Sequence, residues 1–174
     1  MILETERLSL RELAQGDFDN LCTILQDEQA MYAYGHAFSD AEVRAWLGRQ
    51  MARYRADGFG LWAVLLKETG EFAGQAGLTM QDAGHGRRVV EVGYLFRRDR
   101  WHNGYATEAA QACKQYAFEA LHVPEVYSII RDNNFASRRV AERNGMQPVG
   151  RMIKHYHGME MPHILYCARR EDAT

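Results

Sequence analysis

The stretch from Glu91 to Ala110 reads EVGYLFRRDRWHNGYATEAA, and it decides the fold. Its first six residues are mostly apolar and predict a buried strand that ends near Phe96. A polar loop follows, and a helix with small side chains on one face begins near Gly104. The first N–H groups of such a helix have no intrahelical acceptors, and its dipole favours an anion beside them. Because Gly104 has no Cβ, the backbone there can approach a bulky anion.

Three arginines, Arg97, Arg98 and Arg100, stand just before this helix and are expected to add positive charge. The segment is therefore a candidate cradle for a pyrophosphate. An ordinary strand-to-helix turn that begins with glycine would give the same pattern. The nicotinamide-binding signature G-x-G-x-x-G is absent from the sequence, and so is the Gly-Lys-Ser/Thr of a Walker loop. These residues alone leave both interpretations open.

Composition places the chain among ordinary globular proteins. It has 174 residues, of which 47% are hydrophobic and 25% charged, and we expect one domain over residues 1–174. The formal net charge of -2 predicts no general attraction to nucleic acid or to an anionic membrane. No apolar stretch approaches the roughly 20 residues that span a bilayer.

The cysteines and the first residues indicate a cytoplasmic setting. Cys22, Cys113 and Cys167 are far apart and odd in number, which is typical of a reduced compartment. Glu4 and Glu6 interrupt the beginning of the chain, so we do not expect a signal-peptide core there.

Hydrophobic periodicity around the deciding stretch predicts a mixture of helices and strands. Ser39 and Glu42 form a capping-box pattern, which predicts the start of a helix. The order is α+β with one crossover. The predicted elements are a strand at Arg7–Leu13, helices at Asp17–Leu25 and after Ser39, strands at Leu61–Leu66, Phe72–Met80 and Val89–Phe96, a helix at Ala106–Leu121, a strand at Val126–Ile130, a helix at Phe135–Arg143 and two C-terminal strands.

The segment from Trp101 to Ala109, WHNGYATEA, resembles the coenzyme A pyrophosphate loop of the GNAT superfamily. It is most similar to the branch that contains the ribosomal-protein N-terminal (alanine/serine) acetyltransferases, which tends to carry Trp-Gly-x-Gly-Tyr-Ala-Thr-Glu-Ala. His102 stands where glycine is usual, a change expected to narrow the loop. Trp101 replaces the Gln or Arg of the wider superfamily, as is normal for the branch.

Two further blocks resemble the same family. Residues 131–146, RDNNFASRRVAERNGM, are similar to its Asn-x-x-Ser helix that ends in Gly-Phe, with Met146 in place of phenylalanine. Residues 4–11, ETERLSLR, resemble the first strand of the branch. The three blocks stand in the expected order and span nearly the whole chain.

The resemblance implies a GNAT-like fold with a central mixed, mostly antiparallel twisted sheet of about seven strands. Helices are expected on both faces, and the sheet is expected to splay at the cofactor site. The implied activity is an N-acetyltransferase that moves an acetyl group from acetyl-CoA to a primary amine, by direct transfer in a ternary complex. The amine can be a peptide N-terminus or a small molecule. The family uses no metal, and a homodimer is one assembly that the resemblance suggests.

The cofactor positions follow from the resemblance. In the family, a splayed strand pair receives the pantetheine arm, which hydrogen-bonds like an added strand. The matching positions are Leu95, Phe96 and Arg97, and the first two can also be core residues because the main chain does the binding. The pyrophosphate is expected on the N–H groups of Trp101, His102, Asn103, Gly104, Tyr105, Ala106 and Thr107.

Glu91 is the predicted catalytic base. A neutral amine is needed for attack on a thioester, and a nearby carboxylate can take the proton. Glu91 lies in an apolar run, so desolvation is expected to raise its pKa. Its place on the strand before the cofactor loop matches a common base position of the family. The alternative is a solvated or salt-bridged strand carboxylate.

Ser137 is the predicted acid for the departing thiolate, since it occupies the Ser of the family's Asn-x-x-Ser pattern. Asn134 is expected to contact the cofactor. Alternatively, Asn134 is a helix N-cap, and Ser137 only makes local hydrogen bonds in the first turn. Tyr94, Tyr127 and Tyr156 are rival donors.

The residues that contact the acceptor amine are predicted from the regions that shape its pocket in relatives. The candidates are Tyr32, Tyr34, His36, His155 and His157. Trp46 lies in the same region but is interpreted as a packing residue. His155, His157, Glu160 and His163 look like a metal cluster, yet no cysteine joins them and no metal is expected. Peptide N-termini, amino acids, polyamines and xenobiotic amines all remain open as acceptors. A non-catalytic module that binds acyl-CoA and regulates a partner is the alternative function.

Overall fold

The computed structural model describes residues 1–156 and 158–173, with four α-helices and eight strands. The strands are β1 (Leu3–Glu4), β2 (Leu8–Glu12), β3 (Leu61–Leu66), β4 (Phe72–Asp82), β5 (Arg88–Phe96), β6 (Glu125–Arg131), β7 (Gln147–Tyr156) and β8 (Met159–Arg169). The helices are α1 (Phe18–Leu25), α2 (Asp40–Asp57), α3 (Tyr105–Glu119) and α4 (Phe135–Arg143), and short 3-10 turns lie at Gln15–Asp17, Tyr32–Tyr34, Arg98–Arg100 and Arg170–Asp172.

All eight strands form one sheet in the order β1-β2-β3-β4-β5-β6-β8-β7. Every neighbouring pair is antiparallel except β5 with β6, which is parallel and is connected through α3. The predicted mostly antiparallel α+β sheet is therefore confirmed. About seven strands were expected and eight are present. The strand that was not predicted is β1, because two residues are too few to show a hydrophobic period.

Helices cover both faces of the sheet, as predicted. On one face, α3 contributes Ala109, Ala110 and Cys113 to a buried cluster that includes Trp62 and Val64 of β3. On the other face, α1 and α2 pack over the intervening β3 residues Leu61 and Ala63. This split follows from the alternation of side chains along a strand. Cys113 is buried in the core, and burial raises the pKa of its thiol to about 12.

The helix boundaries follow the sequence signals closely. Ser39 accepts the N–H of Glu42, whose carboxylate in turn accepts the N–H of Ser39, so the predicted capping box is present at the start of α2. Asn144 ends α4, and Gly145 follows with a φ of 75°, as expected for a helix that stops at glycine. Among the described residues, none of the helices combines the length and apolar character needed to cross a bilayer.

Candidate functional site

The parallel strands β5 and β6 are paired at a single position, Glu91 with Tyr127. Past this pair, toward Phe96, the strands separate and leave one edge of β5 without a ladder partner. The N–H of Arg97 donates to β4 at 2.9 Å, so alternation along the strand turns the N–H groups of Tyr94 and Phe96 to the open edge. An extended chain with amide groups can pair with such an edge.

Side chains occupy the point where the two strands separate. The carboxylate of Glu91 accepts the N–H of Ile129 at 2.8 Å, and the hydroxyl of Ser128 donates to the carbonyl of Val92 at 2.8 Å. These bonds stand where the next main-chain ladder bonds would form in a continuous parallel pair. Glu91 thereby satisfies the first unpaired N–H of β6 and is fixed at the fork.

Burial raises the pKa of Glu91, and the nearby charge of Lys154 opposes this rise only in part. Glu91 forms no ion pair within residues 1–156 and 158–173, so it is not a salt-bridged strand carboxylate. Its side chain faces a cavity. A carboxylate with a raised pKa in a cavity is suited to take a proton near neutral pH.

The start of α4 faces the same fork. Asn134 accepts the N–H of Ser137 at 3.3 Å, so the predicted N-cap is present. The hydroxyl of Tyr94 donates to the carbonyl of Ser137 at 2.8 Å, which ties β5 to α4 across the opening. The cap bonds to the backbone N–H of Ser137, and the side-chain hydroxyl of Ser137 takes no part in it. Asn134, Ser137, Tyr94 and Glu91 all line one cavity.

The loop between β5 and α3 is held in shape by its own side chains. The indole N–H of Trp101 donates to the carbonyl of Phe96 at 3.0 Å. The amide of Asn103 donates to the carbonyls of Arg100 at 3.1 Å and Trp101 at 3.0 Å. Gly104 then precedes the helix with a φ of 79°, which a residue without Cβ adopts at no steric cost.

Six consecutive N–H groups at this helix start are available to a ligand. Within the part of the chain that the structure describes, those of His102, Asn103 and Gly104 have no acceptor. Those of Tyr105, Ala106 and Thr107 precede the first intrahelical bond, from Glu108 to Gly104 at 3.0 Å. This row of donors, together with the helix dipole, forms an anion site of the kind expected from the sequence.

His102 adopts a backbone conformation that favours glycine. Its φ is 65°, in the left-handed region, where a non-glycine residue costs roughly 1–2 kcal/mol. The side chain is exposed, so it adds an imidazole beside the row of donors rather than filling the loop.

The three arginines before the helix carry less free charge than the sequence suggested, because each is paired with a carboxylate. Arg97 lies 2.7 Å from Asp99, Arg98 lies 3.2 Å from Asp27, and Arg100 lies 2.6 Å from Glu71. Their pairing partners are distant in sequence in two of the three cases, and no local pattern could have indicated them. The anion site consequently depends mainly on backbone N–H groups.

A clamp from the N-terminal segment fixes this helix start. The carboxylate of Glu108 accepts the hydroxyl of Thr5 at 2.6 Å, and from Arg7 it accepts the backbone N–H at 2.9 Å and the side-chain Nε at 2.7 Å. Arg7 also donates to the carbonyl of Asn103 at 2.9 Å and lies over the ring of Tyr105. Two of the sequence blocks singled out above, 4–11 and 101–109, are thus in direct contact.

The predicted acceptor residues are only partly brought together. Tyr34 and His36 line a cavity of about 440 Å³ next to Glu91. Tyr32 lies outside the lining and donates to the carbonyl of Asn133 at 3.0 Å. His155 is exposed and also outside the lining, because its neighbours on β7, Lys154 and Tyr156, face the cavity instead. His157 lies outside the described residues.

Several lining residues were missed by the sequence reasoning. Arg49 and Arg53 of α2 and Lys154 of β7 face the cavity, although each resembles an ordinary surface charge in its local sequence. Trp46 is buried, as interpreted, and it also contributes to the cavity wall. His163 of β8 is buried and lines the same cavity.

His163 has a defined tautomer. Its Nδ1 lies 2.7 Å from the carbonyl of Met161, and a carbonyl only accepts, so Nδ1 carries the proton and Nε2 has the free electron pair. Burial lowers the pKa of this ring, which favours the neutral form. No group of His, Cys, Asp and Glu residues among those described is arranged to hold a metal ion.

The chain is similar to known proteins over most of its length. The family described as Acetyltransferase (GNAT) domain matches residues 7–147. The uncharacterized Bacillus subtilis (strain 168) protein YkkB is 36% identical over 145 residues, which cover 83% of this chain and 84% of that protein.

Solved structures share the fold. A GNAT-family acetyltransferase from Bacillus anthracis superimposes with a TM-score of 0.83 at 22% identity, covering 97% of this chain and 98% of that chain. RimL, a ribosomal L7/L12 α-N-protein acetyltransferase solved in complex with coenzyme A, superimposes with a TM-score of 0.77 at 16% identity, covering 97% of both chains. At these identities the likeness shows the fold.

Proposed function

Because the chain belongs to the GNAT acetyltransferase family, whose pattern it matches over residues 7–147, we propose that it transfers the acetyl group of acetyl-CoA directly to a primary amine. The observation that carries this proposal is the open edge of β5, which leads from Glu91 to the free N–H groups at the start of α3. The open edge and the helix start follow one another along the chain, which suits a cofactor with a long amide-bearing arm that ends in a pyrophosphate.

The residues present fit coenzyme A. Of the positions expected from the sequence, Phe96 turns its N–H to the open edge and would hold the pantetheine arm, whereas the N–H of Arg97 is bonded to the carbonyl of Ala73 and alternation turns Leu95 to β4 as well. The N–H groups from His102 to Thr107 would hold the pyrophosphate. Trp101 takes no direct part through its N–H, which donates to the carbonyl of Arg98 at 3.2 Å, but its indole fixes the loop. The bound co-substrate supplies an activated acetyl thioester. RimL, which shares the fold, was solved with coenzyme A.

Glu91 is the proposed base. An alkyl amine with a pKa near 10.4 is neutral in fewer than about one molecule in a thousand at pH 7. The carboxylate oxygen of Glu91 that is not bonded to Ile129 would take the amine proton, directly or through water. The amine nitrogen then bonds to the carbonyl carbon, and the negative charge that develops on the carbonyl oxygen would be stabilised by the N–H of Tyr94, which is the N–H at the open edge nearer to Glu91.

Ser137 is the proposed acid. The C–S bond breaks as the amide forms, and the hydroxyl of Ser137 would donate a proton to the departing sulfur. Tyr94 is a poorer candidate because its hydroxyl proton is engaged with the Ser137 carbonyl. Tyr127 hydrogen-bonds to Glu125 at 3.0 Å and does not line the cavity. Tyr156 lines the cavity and remains a rival donor.

The alternative function, a binding module without catalysis, predicts the same coenzyme A site but no turnover. The test is release of free thiol from acetyl-CoA in the presence of a panel of primary amines. We expect thiol release that depends on the amine, and no stoichiometric burst without amine, because direct transfer forms no acetylated enzyme. Tight coenzyme A binding without any thiol release would favour the binding module.

Glu91→Gln should lower kcat by about 10²-fold or more at pH 7, because the amide cannot take the proton. The glutamine still offers a carbonyl oxygen to the N–H of Ile129, so coenzyme A affinity should persist. In the parent protein, activity should fall as the pH drops through the raised pKa of Glu91, and the variant should lack this step.

The loss in Glu91→Gln should shrink as the pH rises and free amine accumulates. Glu119→Gln, an exposed position on α3 remote from the cavity, is the matched control and should leave the rate unchanged. Equal rates for the parent protein and Glu91→Gln at pH 7 would mean that another group is the base. The next candidate is His163, because its Nε2 has a free electron pair and the ring lines the same cavity.

Ser137→Ala separates the catalytic from the local role of this residue. The N-cap uses the backbone N–H of Ser137, which the variant retains, so thermal stability should stay unchanged. If Ser137 is the acid, Ser137→Ala should lower kcat about 10²-fold and raise the KM for acetyl-CoA by a smaller factor, because an acid acts mainly in the transition state. An unchanged kcat would remove Ser137 from the mechanism.

A further inference from the structure

The cavity beside Glu91 carries more positive than negative charge. Its cationic lining residues are Arg49, Arg53, Arg131 and Lys154, and its carboxylates are Glu42 and Glu91. Of the two carboxylates, Glu42 is already engaged with His36, whose Nε2 lies 2.7 Å away. An acceptor enters mainly as an alkylammonium ion at neutral pH. Such an ion is repelled by this lining unless the molecule brings negative charge of its own.

Arg49 and Arg53 stand one turn apart on α2 and both face the cavity. Like charges at this spacing repel each other and destabilise a helix. Neither arginine takes part in an ion pair anywhere in residues 1–156 and 158–173. The helix therefore carries two adjacent cations that no carboxylate among the described residues neutralises in an ion pair.

Arg53 is held in place by a neutral group. Its guanidinium donates to the side-chain carbonyl of Gln50 at 3.2 Å, and the same oxygen accepts the N–H of Leu61 at 3.0 Å. Gln50 is fully buried, at 0% exposure, so it forms a fixed support. A guanidinium that is oriented by an amide keeps its full charge for an incoming oxyanion.

Lys154 brings a third cation from the opposite wall, on β7. It too is in no ion pair within the described residues. Lys154 and Arg53 each act electrostatically on Glu91, so both lie near the proposed base. An oxyanion bound by these cations would therefore lie close to the reacting nitrogen.

These cations are at the wrong end of the site to bind the phosphates of coenzyme A. Glu91 precedes Phe96 by five residues of β5, a distance of about 17 Å along the strand. The N–H groups proposed for the pyrophosphate lie beyond Phe96, after a further loop. The positive charge around Glu91 thus belongs to the acceptor side.

From this arrangement we propose that the acceptor is a small amine that carries an oxyanion, a carboxylate or a phosphate, bound by Arg49, Arg53 and Lys154 while its nitrogen faces Glu91. This inference rests on the proposed function, and it narrows the acceptor class. Polyamines, which carry only positive charge, are excluded as preferred acceptors. A zwitterion fits best, since its two charges match the cations and Glu91.

The test measures thiol release from acetyl-CoA with amines that differ only in the anionic group. The twenty amino acids are compared with their carboxamides, O-phosphoethanolamine with ethanolamine, and spermidine serves as the polycation. The best oxyanion-bearing amine should exceed its neutral counterpart at least tenfold in kcat/KM, mainly through KM, and the advantage should shrink with added salt. The two series distinguish a carboxylate from a phosphate.

Arg53→Gln tests the cluster itself. The variant should raise KM for the preferred amine about tenfold or more, and the advantage of that amine over its neutral counterpart in kcat/KM should fall by a similar factor. Arg55→Gln, on the same helix but exposed and outside the cavity lining, is the matched control. Lys154→Gln gives an independent second variant from a different element, so the test does not depend on one substitution.

The outcomes distinguish a wrong acceptor class from a wrong activity. Thiol release with no advantage for oxyanion-bearing amines, or with spermidine as the best acceptor, would overturn the inference and leave the acetyltransferase intact. Indistinguishable KM values for Arg53→Gln, Lys154→Gln and Arg55→Gln would also overturn it. Absence of thiol release with every amine would contradict the proposed function itself.

Discussion

The separation of β5 from β6 is the constraint on which the rest of the site depends. One parallel pair, Glu91 with Tyr127, holds the strands together, and beyond it the edge of β5 lacks its partner. Unpaired backbone groups inside a protein are costly, so the opening persists only because other groups replace the missing bonds. Glu91 and Ser128 do this at the apex, and Tyr94 bridges to α4 further along. The same bonds place a half-buried carboxylate at the inner end of the opening.

The two ends of the opening differ in how they hold charge. At the outer end, the arginines near the loop are neutralised by carboxylates, and backbone N–H groups remain as the donors. At the inner end, Arg49, Arg53 and Lys154 face the cavity and form no ion pair with a carboxylate of the described residues. A pyrophosphate needs many donors at close range, which a helix start supplies, whereas an acceptor needs selection by charge. The distribution of paired and unpaired cations thus divides the site into a cofactor side and an acceptor side.

The sequence indicated the fold and the cofactor side well because both depend on local patterns. Period-2 and helical spacing, the capping box at Ser39 and the motif around Gly104 are all contained in short windows. The clamp between Arg7 and Glu108, and the bond from Tyr94 to Ser137, join residues that are far apart in sequence. Their partners are determined by strand order, which no local window encodes. The acceptor side was therefore only partly predicted: Tyr34 and His36 lie in the cavity wall, whereas Tyr32 and His155 do not.

Hydrogen exchange with and without acetyl-CoA tests the central claim most directly. The N–H groups of Tyr94, Phe96 and residues 102–107 are free in the protein alone and should exchange quickly. Saturating acetyl-CoA should slow exchange across residues 93–107 at least tenfold, while the exposed residues 85–87 are unaffected. If acetyl-CoA binds with full occupancy and residues 93–107 exchange as they do without it, the open edge of β5 is not the cofactor site.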